Sequence, residues 1–209
     1  MNKFVLRAVC AAAGLAALGM PMGAHAESSI QSGATGTLTA RANLDFRVVI
    51  PRVLFLQVGT GTMMTTIGTV NLIDFTVPVA NAGDGSPISA SIGSGDLGSG
   101  AVTARVRANA GAVTLVSATV GALGNGAGDT LSFSQIGTTA ATLSGGPILA
   151  APALADGAGG TVAVPATGSI TNIDARWTFS YLNSALVPPG TYGGVGTNNS
   201  RVTYTATML

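Results

Sequence analysis

Between positions 30 and 50 the chain alternates with a period of two. Ile30, Ser32, Ala34, Gly36, Leu38, Ala40, Ala42, Leu44, Phe46, Val48 and Ile50 are all small or apolar. The residues interleaved from Thr35 to Arg47 are Thr35, Thr37, Thr39, Arg41, Asn43, Asp45 and Arg47. A strand turns successive side chains to opposite faces, so this pattern predicts β structure with one apolar and one polar side. The run exceeds an ordinary strand of about 5–6 residues. It must therefore bend, bulge, pass between sheets or project beyond the body. Pro51 has no N–H to give and ends the ladder.

The segment before this run has the three parts of a secretory signal. Lys3 and Arg7 precede an uncharged apolar run over residues 9–20, and Ala24, His25 and Ala26 supply the small-residue cleavage pattern. A spanning helix needs about 20 apolar residues, and this run is broken by Gly14, Gly19 and Pro21. Cys10 stands at the front of the run, not beside a cleavage site, which argues against a lipoprotein. The expectation is a signal peptide over 1–26, removed on export. The mature chain would reach the periplasm, cell surface or extracellular space with no transmembrane segment.

Cleavage would remove the only Lys, the only His and the only Cys, leaving seven Arg against eight acidic residues. Such a chain has no basic patch for nucleic acid. It has no disulfide, so its core must supply its stability, and residues 27–209 are long enough for one domain with one core. Without His, Cys or Lys, Ser-His-Asp and Cys-His catalysis are excluded. The remaining acids are Glu27, Asp45, Asp74, Asp84, Asp96, Asp129, Asp156 and Asp174. Most fall in glycine-rich turns or on polar strand faces, where Asp bonds nearby backbone. The glycine cluster at 124–128 lacks the Lys-Ser/Thr of a phosphate loop, and no EF-hand spacing surrounds Asp84, Asp129 or Asp156. The reading is no enzyme, no cofactor and no metal site. Arg105 and Arg107 share one strand face and read as a solvated edge. Trp177, Phe179 and Tyr181 share another face and read as core, with a sugar-stacking platform as the alternative.

Further alternating or apolar runs follow at 53–58, 69–79, 88–92, 102–110, 112–120, 131–136, 161–164, 173–181 and 201–208. Gly111 between two of them reads as a hairpin turn, and 138–160 as a long surface connection. Frequent turn signals and no convincing helix beyond the signal predict an all-β fold. The expected architecture is an antiparallel β-sandwich, immunoglobulin-like or jelly-roll-like, of about nine or ten strands.

The chain closes with Pro189-Gly190-Thr191-Tyr192 and then Arg201-Val202-Thr203-Tyr204-Thr205-Ala206-Thr207. This resembles the closing hairpin of exported bacterial β-sandwich proteins, among them fimbrial (pilin-like) and spore-coat-U-like secreted subunits. The resemblance spans about the last 25 residues and the signal. It implies a structural surface or appendage subunit in which an N-terminal extension completes a neighbour's sandwich by β-strand addition. The mature chain departs from many pilins in having no Cys.

In that reading residues 27–42 form a donor extension, with Ile30, Ala34, Leu38, Ala40 and Ala42 as its interaction strand. The partners are then other copies or other envelope proteins. The plainer and preferred reading keeps the whole run in the chain's own sheets, since alternation alone does not single out a donor strand. On side-chain size, 44–50 is expected in the body's core and 30–42 is the part able to leave. The competing function is a monomeric exported binding module for a glycan or another envelope component.

Overall fold

The computed structural model describes residues 27–208, so the expected signal peptide lies outside the described residues. The chain divides between Ile50 and Pro51, and the two units are taken separately.

Residues 51–208 form an all-β body of ten strands. The first sheet contains β1 (Leu54–Val58), β2 (Ile88–Ser89), β3 (Ala101–Ala108), β7 (Ile136–Ala141) and β9 (Thr171–Tyr181). β3 lies between β1 and β9, and β9 carries β7 along its other edge. The short β2 extends β3's side of β9 at Tyr181 and Ser180. The second sheet places β4 (Val113–Ala118) between β8 (Ala158–Val164) and β10 (Thr203–Met208). β5 (Leu123–Gly124) and β6 (Thr130–Leu131) make a small separate ribbon. Every pairing between these strands is antiparallel.

Alternation sets the layers. Val102, Ala104 and Val106 of β3 and Ile173, Ala175 and Trp177 of β9 point inward. They meet Val113 and Leu115 of β4, Val164 of β8, and the half-buried Tyr204, Ala206 and Met208 of β10. Trp177 is completely buried and is central to this layer. Its ring lies 5.4 Å from that of Tyr204 in the opposite sheet, and its Nε1 donates to Leu149 O at 2.7 Å. The two sheets thus close on one sandwich core, and no sugar-stacking platform is exposed on β9.

Several local expectations fail, among them the strand expected over 69–79, where none forms. The runs on either side of Gly111 are not a hairpin: β3 belongs to one sheet and β4 to the other. Gly111, at φ 122°, lets the chain cross between the sheets. The closing segment is not a hairpin either, because β10 pairs with β4 and residues 182–202 contain no strand. The supposed surface connection at 138–160 continues β7, buries Leu149 and places Ala153 against β8. Gly160 donates to Ala153 O at 2.7 Å, and a Cβ on Gly160 would stand 2.6 Å from Ala153 N. Only glycine permits that approach.

Residues 27–50 contain no strand, so the alternating run joins neither sheet formed by the described residues. The backbone bends at residues 34–36, and Asn43 Nδ2 donates to Glu27 Oε2 at 2.6 Å. All of these residues are exposed, including the bulky 44–50 that sequence size assigned to the core. Alternation specifies a face, and among the described residues that face is exposed.

Candidate functional site

The body contains an open cavity of about 1410 Å³. Its floor is sandwich interior: Val58, Val102, Ile136, Phe179, Tyr181 and Tyr204 reach it from four first-sheet strands and β10. Its rims are two segments without strand structure, residues 69–79 and 185–196. Ile73 and Phe75 of the first rim pack on the core, whereas Val70, Leu72, Val77 and Val79 are exposed. Asp74 O accepts from Ser91 N at 2.8 Å and Leu72 O from Gly95 N at 3.3 Å, so this rim is tied to the loop after β2. The second rim carries Leu186, Val187, Pro188, Pro189 and Tyr192, whose hydroxyl donates to Pro188 O at 2.9 Å.

Typical small-molecule pockets occupy about 300–1,000 Å³. This groove is larger, apolar along its floor, and holds no cluster of bases or carboxylates. Its titratable groups are mostly phenols. Burial raises the Tyr181 and Tyr204 hydroxyls above their ordinary range, and Tyr192 shifts the same way. Neutral phenols on apolar walls suit an apolar chain and supply no nucleophile at neutral pH.

A second cleft of about 430 Å³ follows the open side of β1, lined by residues 54–58, the 60–69 loop and Tyr204. β1 pairs only with β3 and β10 only with β4, and the two strands approach each other. Each leaves one edge of backbone groups without a strand partner. Such an edge is a template for another strand. The inner residues of β10 are only half-buried, as expected of a strand with cover missing on one side.

Across the outer face of the first sheet, Asp174 is 8% exposed. Its Oδ2 lies 3.8 Å from Arg105 Nε and 3.6 Å from Arg107, and accepts from Ser144 Oγ at 2.8 Å. Arg107 also donates to Val106 O and Ile173 O. These arginines sit on the central strand β3, not on a solvated edge. They flank one buried carboxylate on the outer face of the first sheet, and Arg105 Nε is itself buried without a hydrogen-bond partner. Asp84, Asp129 and Asp156 serve turns: Asp84 accepts from Ser86 N, Asp129 from Asn125 Nδ2, and Asp156 from Phe133 N. The bonds from Asn81 and Ser86 hold the Asp84 carboxyl below its usual value. Among the described residues no three metal-ligating side chains converge.

The predicted interaction residues Ile30, Leu38, Ala40 and Ala42 lie on the unpaired arm, and Ala34 lies at its bend. The more apolar part of the arm is missed by that choice. Leu44, Phe46, Val48 and Ile50 are all strongly exposed, Phe46 at 85%. Their signal was present in the sequence as the bulkiest alternating set, but size alone assigned them inward. The groove had no sequence signal, because the apolar period at 69–79 reads as a strand and Pro189-Gly190-Thr191-Tyr192 as a turn, and neither shows that the two segments face each other. Among the described residues no helix is long and apolar enough to cross a membrane. No family model, curated protein or solved structure matches the chain.

Proposed function

We propose that this protein is a non-enzymatic structural subunit of the exported or surface compartment that assembles by β-strand addition. The arm of one copy enters the groove of another. The observation that carries this reading is the coexistence of two complementary deficits in one chain. The arm has an exposed alternating apolar face, and the body has an apolar groove reaching Val58 and Tyr204, next to a smaller cleft along the unpaired edge of β1.

The physical argument is one of matching. Fully burying Leu44, Phe46, Val48 and Ile50 contributes roughly 1.5–3 kcal/mol each before ordering costs. Seven residues at about 3.3 Å each extend about 23 Å. An incoming strand satisfies edge N–H and C=O groups while its alternate side chains fill pockets. The predicted set Ile30, Ala34, Leu38, Ala40 and Ala42 then continues the donor toward its N-terminal end with smaller side chains.

The test is the size distribution of the mature protein with and without residues 27–50. The reading expects oligomers from the intact chain and a folded monomer from the truncated one, which recovers binding when a synthetic 37–50 peptide is added. A truncated protein that assembles unchanged overturns it. An intact protein that stays monomeric at high concentration also overturns it, and supports the exported binding module.

A further inference from the structure

The side chain of Asn109 holds the first residues of the body. β3 ends at Ala108, opposite Leu54, so a regular ladder with β1 stops there. Asn109 carries the pairing further. Its backbone N donates to Val53 O at 3.3 Å. Its Oδ1 accepts from Val53 N at 2.8 Å, and its Nδ2 donates to Pro51 O at 2.8 Å. The side-chain amide takes the place of a missing peptide unit. Pro51 has no N–H, so its carbonyl is the one backbone polar group by which it can be held.

Asn109 is itself fixed. Two residues on, Gly111 N donates to Ser169 O at 2.9 Å, and Gly111 O accepts from the Thr171 hydroxyl at 2.8 Å. Thr171 is buried and opens β9, which carries Trp177 in the core. A line of bonds therefore runs from the core, through the turn, to the backbone of residues 51–53.

We propose that Asn109 is a positioning residue that makes residues 51–53 a stiff link between assembled copies. The proposal rests on the strand-addition reading with 44–50 inside the donor. In that case only residues 51–53 separate a donor seated in one body from β1 of its own body. Three residues reach at most about 10 Å. The orientation of successive bodies then depends on whether this short link is held. Were the donor confined to 30–42, a longer link would intervene and Asn109 would have no influence on assembly geometry.

The test uses the mature chain with Asn109→Ala and Asn109→Asp. Asp keeps an acceptor for Val53 N but loses the donor to Pro51 O. Two readouts are independent of each other. In monomers spin-labelled at Arg47→Cys and Thr114→Cys, the Ala variant should broaden the distance distribution, with Asp intermediate. In assemblies imaged by electron microscopy, the Ala variant should shorten the persistence length while subunit incorporation is retained. Loss of the side-chain bonds should also speed Val53 amide exchange by about tenfold. Unchanged distances and unchanged stiffness in the Ala variant overturn the proposal. A wild type that never assembles, combined with broadened distances in the variant, defeats strand addition and leaves the clamp standing. If the Ala variant fails to fold, Val53 exchange in the wild type decides: protection like that of β1 supports the clamp, and free exchange overturns it.

Discussion

Residues 173–181 and 44–50 have the same pattern and opposite fates. Ile173, Ala175, Trp177, Phe179 and Tyr181 alternate with polar residues, and so do Leu44, Phe46 and Val48 up to Arg47. The first set is central to a four-strand path and is almost entirely removed from water. The second set is exposed on a segment with no strand. What separates them is not propensity. β9 has strand partners on both sides, β3 and β7, whereas residues 27–50 have none among the described residues. A period of two thus states that a segment can be a strand. It does not state whose sheet it joins.

This contrast breaks most easily at Trp177. Trp177→Ala should destabilise the body by about 3–5 kcal/mol, the cost of a large core truncation. The cost includes leaving Leu149 O without its donor. Denaturant melts of the truncated body measure this directly, and a loss under 1 kcal/mol would show that the β9 layer is not the core's centre.

The outer face of the same strand should respond less. Asp174→Asn removes the carboxylate shared by Arg105 and Arg107 and should cost about 1–3 kcal/mol. The lower end is favoured because both guanidiniums retain solvent contact, which screens the pair. The same melts check it, with Ser144→Ala as a smaller perturbation of the same carboxylate.

Alkaline pH sharpens the comparison from the groove side. Burial raises the Tyr204 phenol above its ordinary value near 10, so the unfolded chain ionises first. Its contribution is present in full below pH 10 and is lost as pH rises above it. The slope is at most about 1.4 kcal/mol per pH unit for one such group. Tyr204→Phe should flatten that limb of the stability curve, and an unchanged slope would place the ring in water.

The smallest stability effect belongs to the arm. Phe46→Ser should leave the melting of the monomer within about 0.5 kcal/mol of wild type, as for an exposed substitution. The same change should weaken assembly by at least one side chain's burial, about 1.5–3 kcal/mol. Denaturant melts read the first number and sedimentation the second, and a destabilised monomer would mean that Phe46 belongs to its own body.

Much of the body was legible in the sequence. The 102–110 and 173–181 runs and the closing strand at 201–208, found at 203–208, follow from alternation, and the burial of Trp177 from a core's need for its aromatics. What was lost depended on partners. The chain on either side of Gly111 looks the same in a hairpin and in a crossing between sheets. Asp174 looked solvated because polar alternation marks an outer face, while the cover it receives from Ser144 and the two arginines comes from distant chain. Residues 69–79 held four apolar positions on one face and still formed no strand, since their backbone bonds go to the loop after β2. The groove arises from rims far apart in sequence and had no local signature. The arm's bulky half was misplaced because side-chain size measures the benefit of burial, not its location.

Disulfide trapping between two single variants tests the central claim most directly, because residues 27–209 contain no cysteine. One variant carries Phe46→Cys on the arm and the other Ile73→Cys in the groove. Mixing the two under oxidising conditions should give a heterodimer that neither variant forms alone, and an excess of the 37–50 peptide should suppress it. No cross-linked heterodimer on mixing, with cross-linking confined to a single chain carrying both cysteines, would contradict strand addition between copies.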